Sequence, residues 1–337
     1  MKAKPSSPFV RMATLCGYTV ALLIYSLLFR EHLAVSWQYP EFLIAPIMAL
    51  GSFVAGSTFL GGGAVAFPAL TKILNTDPST AKTFSLAIQS VGMTSASLYI
   101  VMRVKNIPWR FFMWYLPAAF VGLFGSLLVL EQYLAASDLR IGFTLFLLIF
   151  LLVYLWAFGD KATHYTDLAK FSRIDKQLIV KAGLIGGVVS GLLGSGADLV
   201  GFCLLALYFR LDLKLATQCS VILMASCALV GTFFQGVVFG EVTADVLQLW
   251  YIAAPVVLIG APIGAFFCRR VTSRSLLVFI CCIVASELIS TLFLVPIARE
   301  RLIYYAVLAV LSILMLVSLH KNSRHKTHVG QHPTQFN

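Results

Sequence analysis

Charge is what this sequence has least of. Only 12% of its 337 residues are Asp, Glu, Lys or Arg, about half the share of an ordinary soluble domain. That scarcity excludes a globule wrapped in the usual polar shell. With 59% hydrophobic residues and a mean hydropathy of +0.90, lipid rather than water is the main solvent. Acidic residues are the scarcer sign, 14 against 25 basic ones. No basic block is interleaved with aromatics, as readers of single-stranded nucleic acid require. Nucleic acid is therefore not an expected partner, and the basic surplus reads as orientation in a bilayer.

A cysteine framework is also missing. The seven cysteines form no CxxC pair and nearly all lie in apolar runs, so they read as small packing residues rather than disulfides or metal ligands. All six histidines fall outside the expected crossings, which leaves no intramembrane base for Ser195. HExxH and GxSxG are absent too. Ser79-Thr-Ala-Lys82 matches a Ser-x-x-Lys pattern but coincides with a helix start. An enzyme is not expected, and neither is a cofactor or a metal.

What is present is a series of apolar runs of crossing length. The expected fold is all-α and integral to the membrane, with about eight transmembrane helices plus two glycine-tipped re-entrant hairpins in an inverted repeat. Residues 12–29 read as a retained first helix, because no clean cleavage site precedes Arg30-Glu31-His32. The expected units are 1–41 (first helix and external loop), 42–158 (first repeat) and 159–181 (polar cytoplasmic linker). They continue with 182–294 (second repeat), 295–319 (last helix) and 320–337 (a polar, basic, disordered tail). Trp109, Trp114, Tyr115, Trp250 and Tyr251 read as interfacial anchors.

The two halves repeat. Ile47–Val101 aligns with Ala182–Gln235 at a constant offset of 135, pairing Gly51 with Gly186, Gly56 with Gly191, Gly61 with Gly196 and Ser85 with Ser220. Pro117-x4-Gly122 echoes Pro255-x4-Gly260 further on. Each half opens with a segment broken by glycines, Gly61-Gly62-Gly63 in 42–74 and Gly194-Ser195-Gly196 in 182–209. In the second, arms of about 12 residues reach roughly 18 Å as helix, short of a core of about 30 Å. Each segment is either a broken single crossing or a hairpin that enters and leaves on one side.

Charge separates these options. With a cytoplasmic N-terminus and two hairpins, only Arg30, Lys72, Lys82, Arg140, Arg299 and Arg301 fall outside. Single crossings would spread Lys and Arg almost evenly, so the positive-inside rule prefers hairpins. An odd number of crossings per half then inverts the second repeat, and the tips approach each other from opposite sides. Broken helices meeting in an inverted repeat are the architecture of alternating-access carriers.

At such tips, open backbone N–H groups attract anions, and glycine lets a ligand approach the backbone. The candidate binding set is Gly61, Gly62, Gly63, Ser85, Gln89, Gly194, Ser195, Gly196 and Ser220. Close helix packing is the competing account of the glycines.

The run Gly56-Ser-Thr-Phe-Leu-Gly61-Gly62-Gly63-Ala-Val-Ala-Phe-Pro68, followed by Asp77-Pro78-Ser-Thr-Ala81-Lys-Thr-Phe-Ser85-Leu86, resembles the first repeat of the TauE/SafE sulfite-exporter family. Gly191-Leu-Leu-Gly194-Ser-Gly196 and Ala216–Ser220 resemble the second, and the likeness covers about 42–294. It implies a bacterial inner-membrane carrier of sulfite, an organosulfonate or a related small oxyanion or carboxylate. Both termini are expected in the cytoplasm. Ala197-Asp198 departs from the family pattern, and an ionised Asp198 would repel an anion. Asp198 and Glu287 are the two carboxyls expected within the membrane. Burial penalises their charged form, which makes them candidates for proton coupling or for structural hydrogen bonds. A membrane scaffold or receptor is the alternative class, with an intramembrane enzyme behind it. The expected partners are a small anion, the bilayer and, under coupling, protons; the sequence assigns no oligomeric state.

Overall fold

The computed structural model describes residues 8–30, 41–61, 70, 76, 78–130, 136–157, 168, 171–294 and 301–322. Gly62, Gly63, Pro68 and Asp77 lie outside the described residues, so the sequence expectations for them do too. Every regular element described is helical: α1 (Pro8–Leu28), α2 (Ile44–Ser57), α3 (Pro78–Arg103), α4 (Trp109–Gly125), α5 (Ala136–Ala157) and α6 (Arg173–Leu193). Then follow α7 (Ala197–Cys203), α8 (Leu213–Phe233), α9 (Ala244–Arg270), α10 (Ser273–Leu294) and α11 (Leu302–Lys321). Wider π turns extend α4 over Ser126–Leu130, α7 over Leu204–Tyr208 and α8 over Phe234–Val238. Among the described residues, seven helices are long and apolar enough to cross a membrane: α3, α4, α6, α8, α9, α10 and α11. Helices α1 and α5 match them in length at 21 and 22 residues. The protein is a multi-pass, all-α membrane protein.

Polar side chains start the helices where the apolar runs cannot. The Asp212 carboxylate accepts from the Lys214 and Leu215 amides and caps α8; Asp77 is its counterpart at the offset of 135. Ser172 and Asp175 form a capping box on α6. That box starts α6 at Arg173, nine residues earlier than the apolar run suggests. The first arm of the second glycine segment is thus 21 residues, about 31 Å, and its length alone would let it cross. The return arm, α7 with its π turn, holds only the 12 residues Ala197–Tyr208, about 18 Å.

These two arms double back on each other. Gly194 (φ +73°) and Gly196 (φ +144°) adopt backbone angles that side-chain-bearing residues rarely reach, and the chain reverses between them. At the open end, the Tyr208 hydroxyl donates to Asp175 Oδ1 at 2.9 Å, tying the end of α7 to the start of α6.

The repeat in sequence is also a repeat in packing. A methyl on Gly56 of α2 would strike the Ala261 carbonyl of α9, and one on Gly191 of α6 would meet the Leu123 carbonyl of α4. Gly260 faces Ser52 and the Ala49 carbonyl as Gly122 faces the Leu184 carbonyl. Gly56 and Gly191 correspond at the offset of 135, as do Ala49 and Leu184, while Ala261 and Leu123 stand in the Pro255 and Pro117 echo. Each half therefore lays its first arm on the second helix after the glycine segment of the other half, α2 on α9 and α6 on α4, with small residues bringing the backbones close.

Candidate functional site

The reciprocal packing brings the two glycine tips together. On the first side, α2 ends at Ser57, and Thr58 closes it by donating its hydroxyl to the Val54 carbonyl at 2.8 Å. Gly61 then turns into the left-handed region at φ +70°. On the second side stand Gly194, Ser195 and Gly196. The point where a Gly61 side chain would begin lies 2.9 Å from Asp198 Oδ2, 3.4 Å from Gln89 Oε1 and 3.4 Å from the Ser195 Cβ. Phe59 holds this contact from the apolar side, stacked on Phe202 of α7 with ring centroids 3.8 Å apart and edge-on to Phe150 of α5.

Helix α3 forms the third wall. Lys82, Ser85 and Gln89 follow at i, i+3 and i+7, which places them on one helical face. All three are buried. Gln89 Nε2 donates to the Ser85 carbonyl at 3.0 Å, to Ser85 Oγ at 2.8 Å and to the Gly194 carbonyl at 3.0 Å. Gly194 in turn lies against the Lys82 carbonyl and the Ser85 side chain. One face of α3 is thus stitched to the second tip through side chain and backbone alike.

The backbone amides at the second tip are already engaged. The Gly196 N–H donates to Asp198 Oδ1 at 2.9 Å, and the Ala197 N–H donates to Ser190 Oγ at 2.8 Å. Tyr115, fully buried, donates its hydroxyl to the Ala197 carbonyl at 2.7 Å. Tyr115 is therefore a prop under the tip rather than an interfacial anchor. Trp250 is partly buried: it packs against Tyr25 and Phe29 and donates Nε1 to the Ala87 carbonyl at 3.3 Å. Trp114 stays partly exposed, with the Lys176 ammonium 4.9 Å from its ring centre.

Of the candidate residues, Gly61, Ser85, Gln89, Gly194, Ser195, Gly196 and Asp198 converge in one place. Ser220 and Glu287 do not enter this set of described contacts. Ser220 is buried on α8 and donates to the Thr217 carbonyl at 2.7 Å. Glu287 is buried on α10, one turn before Thr291, which shares a 3.0 Å hydrogen bond with Thr144 of α5. Sequence reasoning missed Lys82, whose spacing to Ser85 and Gln89 was the available signal, and it missed Ser190. Among the described residues, no group of three or more His, Cys, Asp and Glu could hold a metal ion.

A multi-pass helical protein whose halves exchange arms and join broken-helix tips over a buried polar stripe belongs to the class of membrane transporters. The family model "Sulfite exporter TauE/SafE" matches residues 43–293, and the chain belongs to that family. Membership implies a membrane transporter of the sulfite/anion-exporter type. Comparison with curated proteins and with solved structures gives no match.

Proposed function

We propose that the protein is a secondary transporter of a small anion, such as sulfite, an organosulfonate or a related oxyanion or carboxylate, working by alternating access across the contact between its two tips. The observation that supports this best is the convergence of Gly61, Ser195 and the Lys82–Ser85–Gln89 stripe at one buried place. With the Gly196 and Ala197 amides engaged, Lys82 supplies the positive charge that meets the anion, and the Ser85 and Ser195 hydroxyls complete its shell. Gly61, with Gly62 and Gly63 after it in sequence, lets the anion reach the backbone, Gly194 and Gly196 make the turn that brings Ser195 to it, and Ser220 is the counterpart of Ser85 in the other half.

In this reading the two glycine segments are re-entrant hairpins in an inverted repeat. The short return arm α7 and the Tyr208–Asp175 clasp favour entry and exit on one side. Both termini are cytoplasmic and the membrane is a bacterial inner membrane. Asp198 and Glu287 are the carboxyls available for proton coupling.

The test is uptake into proteoliposomes of labelled sulfite, sulfoacetate, sulfate and thiosulfate, with protein-free vesicles as the baseline. Saturable uptake of at least one of them, competed by its unlabelled form, is expected. Uptake of none above baseline would leave a scaffold or receptor as the better reading.

A further inference from the structure

The tip contact holds an acceptor that nothing among the described residues satisfies. Gln89 is only 3% exposed, and its Oε1 has no hydrogen-bond partner among the described residues. Its orientation is not free to reverse. Nε2 faces the carbonyls of Ser85 and Gly194, and exchanging the amide would set oxygen against oxygen at both. Oε1 must therefore point the other way, towards Gly61. Asp198 Oδ2 lies in the same neighbourhood: the two oxygens are 3.4 Å and 2.9 Å from one point beside Gly61. The other oxygen of Asp198 is occupied by the Gly196 amide. The C-terminal ends of α2 and α6, the negative ends of their dipoles, also close on this place. A buried acceptor without a donor is costly, and Gln89 Oε1 shares its spot with a carboxylate oxygen and two negative helix ends, against the one positive end of the short α7.

We infer that Gln89 Oε1 and Asp198 Oδ2, with the Ser195 hydroxyl beside them, form a binding site for a monovalent cation that travels with the anion. The inference rests on the tip contact being the transport site, and it divides that site in two. Lys82 marks the anion end of the α3 stripe, and Gln89 marks the cation end, seven residues further along. Carrying both charges together cancels the field that either would feel at low dielectric. Two cations suit the oxygens: a sodium ion coordinated by them, or a proton on Asp198 Oδ2 donated to Gln89 Oε1. The other ionisable groups around Asp198 are Tyr115 of α4, Cys203 of α7, Cys227 of α8 and, along the stripe, Lys82 of α3.

The test needs no transport. Thermal melting of the detergent-purified full chain is measured with sodium chloride against choline chloride at fixed ionic strength, and separately from about pH 5.5 to 7.5. A ligand that binds only the folded state raises the melting temperature. One of the two series should do so in the parent, by on the order of 3 °C or more. A rise with sodium identifies the metal ion; a rise towards acid pH identifies the proton. Asp198→Asn and Gln89→Leu should each remove that rise while still eluting as folded protein. A parent that responds to neither series, or a response that survives in both variants, overturns the site. Should Gln89→Leu not fold, Gln89→Glu serves instead: a second carboxylate beside Asp198 should increase the response, and an unchanged one counts against the site. Failure of the transport reading looks different, as a cation response in a protein that moves no anion.

Discussion

Replacing Gly56 with alanine puts a number on the exchanged packing of the two halves. The added methyl would sit 2.0 Å from the Ala261 carbonyl oxygen and 2.8 Å from its carbon. Ordinary contact begins near 3.4 Å, so α2 and α9 would have to part by more than 1 Å along their seam. Backbone cannot rotate out of the way as a side-chain tip can, and overpacking of this kind costs about 1–3 kcal/mol, with the upper end expected here. Gly125 is the matched control: it is helical, and a methyl there meets nothing within 4 Å. The same substitution at Gly125 removes a flexible residue from a helix and should be neutral or stabilising by up to about 1 kcal/mol. Gly191→Ala should fall between them, because its nearest neighbour is the Ser126 hydroxyl, which can swing aside by giving up its bond to the Leu123 carbonyl. The assay is the melting temperature of each purified variant in one detergent, followed by intrinsic tryptophan fluorescence. If Gly56→Ala melts with the parent, or Gly125→Ala drops as far, close backbone approach is not what joins the halves.

Three further outcomes are expected. Tyr208→Phe removes a buried hydrogen bond to a carboxylate at the hairpin base, so it should cost about 1–3 kcal/mol and speed protease cleavage near 208–212; unchanged melting and cleavage would show that the clasp carries no load. In a cysteine-free background, a single cysteine at Asn106 should resist an impermeant thiol reagent added to intact cells, and one at Thr243 should react; labelling of Asn106 from outside would rule out the hairpin topology. Lys82→Met should lower the apparent affinity for the transported anion by about tenfold or more, the loss of one buried charge-assisted contact, with Lys82→Arg less affected; anion affinity equal to the parent's would remove Lys82 from the site.

The crossings were legible because an apolar run of about 20 residues has few other uses, and the repeat was legible because glycines recur at one offset. The start of α6 was not. Arg173, Asp175 and Lys176 make the first turn polar, and only the reciprocal bonds of Ser172 and Asp175 reveal it as helix. Tyr115 misled for a related reason: an aromatic near a helix end has the same composition whether it faces headgroups or a neighbouring helix. The meeting of Gly61 with Ser195 and Asp198 followed from the inverted-repeat argument. The engagement of the Gly196 and Ala197 amides did not, since it depends on Asp198 reaching back two residues and Ser190 reaching forward seven. Lys82 was hidden by its place one turn after Pro78, where a lysine ordinarily reaches water; its burial becomes visible only once Gly194 lies against that turn.

An anion that passes between the two tips must pass Ser195, the residue best placed to report it. A cysteine is introduced at Ser195 in a cysteine-free protein, and a variant that still transports is reconstituted. Its reaction with a small thiol reagent is then timed with and without the transported anion. The anion should slow modification in step with its occupancy, with half-protection near the concentration that half-saturates transport. Modification at one rate across that whole range, in vesicles that are transporting the same anion, would place the pathway somewhere other than the contact of Gly61 with Ser195 and Asp198.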